Sequence, residues 1–183
     1  MARKESISKQ MILDVAFAMA REEGLENVTA RRVAERANCS TQPIFRSFSG
    51  MDELEDEVYA RAVTYFQDYY SLYPKVGKMP FCDLGMAYLA FAREEKALFR
   101  MLFVPDQKRK SLYEILNGSA ENVRAEIQKA VSFGCADPGG LFMKIWMFIH
   151  GAACMAMTGD YDLSDQETRK MLENLCQTFM SKP

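Results

Sequence analysis

The stretch Thr29–Phe48, TARRVAERANCSTQPIFRSF, leaves this chain few ways to fold. Thr29 can start a short helix whose Val33, Ala34 and Ala37 form an apolar face. Asn38 stands where that helix must stop, because Asn comes next to Gly in tolerating the left-handed backbone of a sharp corner. Ser40 is suited to N-cap a second helix. Pro43 falls inside that helix's first turn, where its missing N–H costs nothing. Ile44, Phe45 and Phe48 give the second helix its apolar contacts. Two such helices with a tight turn match a helix-turn-helix, whose second helix enters the major groove of DNA N-terminal residues first. The same pattern also occurs in all-α proteins that never touch DNA.

The flanking sequence extends the helical reading. Residues 1–6 read as a short polar arm. A helix from about Ser6 to Glu23 carries the stripe Ile12, Val15, Ala16, Met19 and stops at Gly24. Leu25, Val33, Ile44 and Phe48 are the expected core of this three-helix unit. Ser49, with Asp52 three residues on, resembles a capping box for a long helix to about Leu72. At ~1.5 Å per residue that helix spans about 30 Å. After a loop at Pro74–Pro80 the chain reads as helices over 81–93, 94–104, 107–117, 119–133, 138–158 and 165–181. Pro105, Asn117-Gly118 and Asp137-Pro138-Gly139-Gly140 divide them, and nothing marks a break between 93 and 94. Ser164 and Glu167 form a capping box for the last. No segment alternates with period two. The expected fold class is all-α, with about nine or ten helices: a helix-turn-helix domain over 1–50 and a helical domain over 51–183.

Charge and cysteine usage narrow the function classes. Residues 1–48 hold eight Lys/Arg against six Asp/Glu, a net +2; the rest holds 15 against 19, a net −4. A basic head on an acidic body suits a protein whose head alone meets nucleic acid. Five scattered cysteines, no C-x-x-C and a single histidine, His150, argue against a structural zinc site or a disulfide framework. Free buried thiols are expected, with a redox-sensing thiol as the alternative. There is no nucleophile–base pair, metal cluster or phosphate loop, so neither enzyme activity, a metal nor a cofactor is expected. The N-terminus lacks an apolar signal region, and a cytoplasmic location is expected. The most apolar run, Leu141–Met157, is interrupted by Lys144 and His150 and is shorter than the ~20 residues a bilayer requires; it reads as a buried core helix, and no membrane partner is expected.

Taken together, T-A-R-R-V-A-E-R-A-N-C-S-T-Q-P-I-F-R-S-F-S-G-M-D-E-L resembles the signature of tetracycline-repressor (TetR) family regulators over residues 8–60. Further on, A-F-A-R-E-E-K-A-L-F-R-M-L-F and the Trp146, His150, Gly151 pattern resemble a C-terminal subgroup of that family named for Trp-His-Gly. The resemblance implies that Thr29 meets a phosphate through its hydroxyl and the helix N-terminus. It places Arg31 and Arg32 near the DNA backbone, and Ser40, Thr41, Gln42, Phe45 and Arg46 on or beside the recognition helix. Gln42 and Arg46 are candidates for adenine and guanine edges, and Arg3 and Lys4 for a minor-groove or phosphate arm. Three positions depart from the family pattern. Phe45 stands where a Tyr is common and lacks its hydroxyl, Met51 stands near a common Lys, and Pro43 replaces a small residue.

The resemblance also implies a ligand pocket and a dimer interface in the C-terminal domain. Candidate pocket residues are Phe66, Tyr69, Met86, Leu89, Phe99, Phe103, Tyr113, Trp146, Met147 and His150, dense in aromatic and Met side chains that suit an apolar or aromatic effector; each could equally be plain core. Candidate dimer residues are Phe148, Ala152, Met155, Met171, Leu172, Leu175 and Phe179, on the last two helices. The implied function is a homodimeric, ligand-responsive regulator, a repressor released from a pseudo-palindromic double-stranded DNA operator by a small molecule. The alternative is an all-helical interaction protein with a degenerate helix-turn-helix.

Overall fold

A computed structural model describes residues 7–104 and 120–180. Among these residues there are nine α-helices and no strand. They fall into two compact units. The first comprises the described parts of 1–65 and 97–109, the second those of 66–96 and 110–183.

The first unit holds the head. Helix α1, Lys9–Glu23, starts where the Ser8 side chain accepts the Met11 N–H at 3.1 Å. That start lies later than the expected Ser6, because Ser8 is the residue whose oxygen reaches the first turn. Gly24, at φ 95°, closes α1 with an N–H bond to the Ala20 carbonyl. A 3₁₀ turn, Leu25–Asn27, leads to α2, Ala30–Arg36, whose N-cap is Thr29. Asn38 takes φ 51°, the left-handed corner expected of it. Helix α3, Gln42–Ser47, is capped by position Thr41 and not by Ser40, and no side-chain bond completes the cap. Ile12, Ala16, Val33, Ile44 and Phe48 form the core of the head, each no more than 2% exposed.

Helix α4, Met51–Leu72, carries its first four turns into the same unit. The expected capping partner Asp52 is not the one used: the Glu53 carboxylate accepts the Ser49 N–H at 2.7 Å, since the helix starts two residues after Ser49. Leu54, Val58 and Ala62 are fully buried. Arg61 pairs with Asp14 and lies over the Phe17 ring, and Lys9 pairs with Glu53 and Glu57. A boundary at residue 50 would cut through this packing. Helix α6, Lys96–Phe103, adds Leu98, Phe99, Met101 and Leu102 to this unit's buried set.

The second unit contains the end of α4 and α5 (Cys82–Glu94), α7 (Ala120–Ser132), α8 (Pro138–Thr158) and α9 (Asp165–Met180). Helices α5, α8 and α9 pack on one another, and α7 packs on α8. Gly85 on α5 permits the closest approach: a Cβ there would lie 3.1 Å from Leu172 and 3.4 Å from Ile149. The chain breaks between α5 and α6 at Glu95, which leaves helical backbone at ψ 52°. No Gly or Pro announces that break. The Ser164–Glu167 capping box forms as expected. The predicted helix over 107–117 lies outside the described residues.

A buried polar cluster ties the 75–80 loop to this unit. Asp83, 2% exposed, accepts the Val76 and Gly77 N–H groups and an Arg169 guanidinium N–H at 2.9 Å. Glu126 accepts the N–H of Phe81 at 2.5 Å, and Phe81 holds a left-handed φ of 62°. Lys129 donates to the Gly77 carbonyl at 2.9 Å. The buried carboxylates of Asp83 and Glu126 are satisfied by these groups, so losing one strands its partners.

Candidate nucleic-acid interface

Helix α3 is too short to stand alone and is held by its inner side. Ile44 and Phe48 are buried at 0% and 2%, while Thr41, Gln42, Phe45 and Arg46 are exposed on the opposite arc. At 100° per residue these four span one contiguous outward strip. Thr29 is exposed, and its hydroxyl oxygen accepts the Arg32 N–H at 3.4 Å. Ser40 is exposed in the turn between α2 and α3. The structure therefore brings together the helix-turn-helix residues that were expected to meet DNA, except Arg3 and Lys4, which lie outside the described residues.

The cations divide sharply. Arg32 forks to the Glu23 carboxylate at 2.5 Å and to the Asn27 side-chain oxygen at 3.0 Å. Arg36 pairs with Glu22 at 2.7 Å. Lys9 pairs with Glu57 at 2.6 Å, and Arg21 lies over the Tyr65 ring at 5.0 Å. Arg31 and Arg46 have no hydrogen-bond or ion-pair partner among the described residues, and both are exposed. The Arg32 side chain is thus committed to holding α2 against the end of α1, and of the expected pair Arg31 is the one left available. Sequence alone could have raised this: Glu22, Glu23 and Asn27 precede the two arginines closely enough to compete for them.

The pocket candidates do not converge on one void. Phe66, Met86, Leu89 and Trp146 are buried in the second unit, and Tyr69 and His150 of the same unit are half-buried. Phe66 meets Tyr88 and Phe91 edge-on, and Tyr88 meets Trp146 edge-on at 4.6 Å. Tyr69 meets Phe91 at 5.2 Å and bonds Glu94 at 2.8 Å. The cleft beside Trp146 and Tyr88 holds only about 10 Å³, one water at most. Phe99 and Phe103 meet at a tilt, with ring centroids 5.1 Å apart, in the first unit instead. Met147 lies on the other side of α8, 63% exposed, away from this core. Tyr113 lies outside the described residues. A cavity of about 530 Å³ opens in the first unit, where Glu23, Glu26, Glu55 and Arg100 border the apolar Leu25, Val28 and Met101. No pocket candidate lines it.

His150 is a half-buried histidine held by its neighbours. Its Nδ1 is 2.9 Å from the Tyr88 hydroxyl, its Nε2 3.7 Å from the Cys154 thiol, and Trp146 stacks on its ring. Burial holds its pKa below the usual imidazole range. All five cysteines are free thiols. Cys82 and Cys176 are fully buried, and the Cys176 thiol bonds the Pro80 carbonyl.

The dimer candidates split by face. Phe148, Met155, Met171, Leu175 and Phe179 retain exposure, whereas Ala152 and Leu172 are buried at 5% and 0% inside the unit, Leu172 against Gly85. Met143 and Met147, not anticipated for this role, complete the outward stripe at 51% and 63% exposure. Gly151, with open space where a Cβ would stand, lies midway along it. Lys144 over the Phe179 ring, at 5.2 Å, joins the α8 and α9 faces edge to edge. Helix α8 is long and apolar enough to cross a membrane by length and composition alone, with mean hydropathy 1.4. Its inner residues Leu141, Ile145, Ile149 and Ala153 are nonetheless buried in the second unit.

A helical head with an exposed recognition strip, joined to an all-helical body, defines a helix-turn-helix regulator. Comparison with known proteins gives the family. Residues 12–58 match the family model for bacterial regulatory proteins of the tetR family, and residues 81–179 match that for the tetracyclin repressor-like C-terminal domain. The chain belongs to the TetR family of transcriptional regulators. Its fold is similar to that of a TetR-like transcriptional regulator from Rhodococcus sp. RHA1, with TM-score 0.69 at 14% identity over 99% of this chain and 100% of that one. It is also similar to a protein from Pseudomonas aeruginosa PAO1 named as a transcriptional regulator, with TM-score 0.65 at 14% identity over 98% and 95%. No curated protein matches the sequence.

Proposed function

We propose that this protein is a homodimeric, ligand-responsive repressor that binds a pseudo-palindromic operator through α3. The observation that carries the DNA reading is the outward strip Thr41, Gln42, Phe45, Arg46 on a helix locked by Ile44 and Phe48. Gln42 and Arg46 have the donors and acceptors for base edges, and Thr29 and Arg31 those for phosphate. A gel shift on the DNA flanking its own gene, run across salt concentrations, tests it. A complex that weakens steeply with salt is expected; no shift at low salt would sink the reading.

The exposed stripe Met143, Met147, Gly151, Met155, with Met171, Leu175 and Phe179 beside it, supports a two-fold four-helix interface. Such a dimer sets two recognition helices ~34–36 Å apart, one DNA turn. The effector reading rests on the Phe66, Tyr88, Trp146 and His150 cluster, an apolar core with two polar anchors. An apolar ligand would have to open that core, and would act only by favouring one conformation over another. Placement of Trp146, His150 and Gly151 on α8 is consistent with the Trp-His-Gly subgroup. A regulator of this kind has no catalytic role and works in the cytoplasm.

The second reading, a helical interaction protein with a degenerate head, is favoured by one observation. Four of the six Lys/Arg in the described part of 1–48 are already engaged within the head. Binding of a protein partner with no affinity for any duplex would support it.

A further inference from the structure

Phe45 stands out on the recognition strip. It is 54% exposed and is the one carbon-only side chain on a strip it shares with Thr41, Gln42 and Arg46, and among the described residues its ring makes no ring–ring or cation–π contact. Helix α3 therefore presents an apolar surface in the middle of a polar reading face. A ring there cannot bond a phosphate. The floor of the major groove offers donors and acceptors at every base pair and a single apolar group, the C5-methyl of thymine. Residues in the first turns of a helix entering the groove N-terminus first are the ones that reach base edges, and Phe45 is the fourth residue of α3. Burying the ring against that methyl removes apolar surface of both partners from water.

Resting on the DNA-binding reading of α3, we infer that Phe45 is a specificity-determining residue that reads a thymine through its methyl group. Each half-site then carries a thymine at a fixed offset from the bases that Gln42 and Arg46 read.

The test uses the full chain and a duplex that it selects from a randomised pool. Each thymine is replaced in turn by deoxyuridine, which removes only the methyl. The expected result is a loss of about fourfold per half-site at one position, the amount a single buried methyl supports. Phe45→Ala should bind the parent duplex more weakly and be insensitive to that replacement. The exposed position makes Phe45→Ala safe for folding, which circular dichroism checks. Uniform tolerance of deoxyuridine by the wild-type protein, or equal sensitivity in Phe45→Ala, overturns the assignment. Tighter, sequence-independent binding by Phe45→Tyr overturns it too, because the ring would then lie against a phosphate. Failure to enrich any sequence from the pool instead removes the DNA reading itself, and the assignment with it.

Discussion

Arg31 and Arg32 are neighbours in sequence with different tasks. Arg32 is spent on Glu23 and Asn27, and Arg31 faces solvent. Replacing Arg31 with Ala should reduce the slope of log binding constant against log salt by about 1 per head, measured by titration at several salt concentrations. Replacing Arg32 with Ala should instead lower the stability of the protein by about 1 kcal/mol, a figure reduced for its partial exposure, and leave the salt slope nearly unchanged. The sole histidine gives a second prediction at this scale. Burial lowers the pKa of His150 when folded, so as pH falls through 6.5 the unfolded chain takes up a proton that the folded chain resists. Stability therefore falls with decreasing pH in that window, before the carboxylates titrate. His150→Gln should flatten the stability profile between about pH 6.5 and 5 in denaturant melts.

Individual elements owe their ends to few residues. Asn38 turns the corner between α2 and α3 at φ 51°. Asn38→Ala should cost about 1 kcal/mol of stability, with Asn38→Gly close to neutral, because a Cβ strains the left-handed backbone unless an Asn side chain or no side chain is present. In the body, Asp83 joins the start of α5 to α9 and to the 75–80 loop. Asp83→Ala leaves the Arg169 cation and two N–H groups without their acceptor. It should lower stability by about 3 kcal/mol, read as an earlier midpoint in chemical denaturation.

For the whole molecule, the decisive surface is the methionine stripe. Single exposed apolar residues are ordinary on any protein; a continuous row along α8, with Met171 beside it on α9, is not. Charging it with Met147→Glu and Met155→Glu together should yield a monomer in sedimentation with unchanged helix content. Operator affinity should fall at least about tenfold, because each head then binds its half-site without the help of the other. A dimer that survives both changes would place the interface elsewhere.

The amino-acid sequence determined the helical character, most of the helix ends and the turn chemistry of the head. These depend on local features, such as period 3.6 stripes, Gly24, Asn38 and the Ser164–Glu167 box, that need no distant partner. Tertiary structure decided the rest. Capping passed from Ser40 to Thr41 and from Asp52 to Glu53 by the register of the helix start. Leu172 and Ala152 turned inward while Met147 turned outward, since an apolar pattern tells which residues leave water but not which neighbour covers them. The division of the head's cations between structure and availability was likewise set by carboxylates that only the fold brings within reach. That division leaves Arg31 and Arg46 exposed and without a hydrogen-bond or ion-pair partner among the described residues, Arg46 next in the chain to the exposed Phe45.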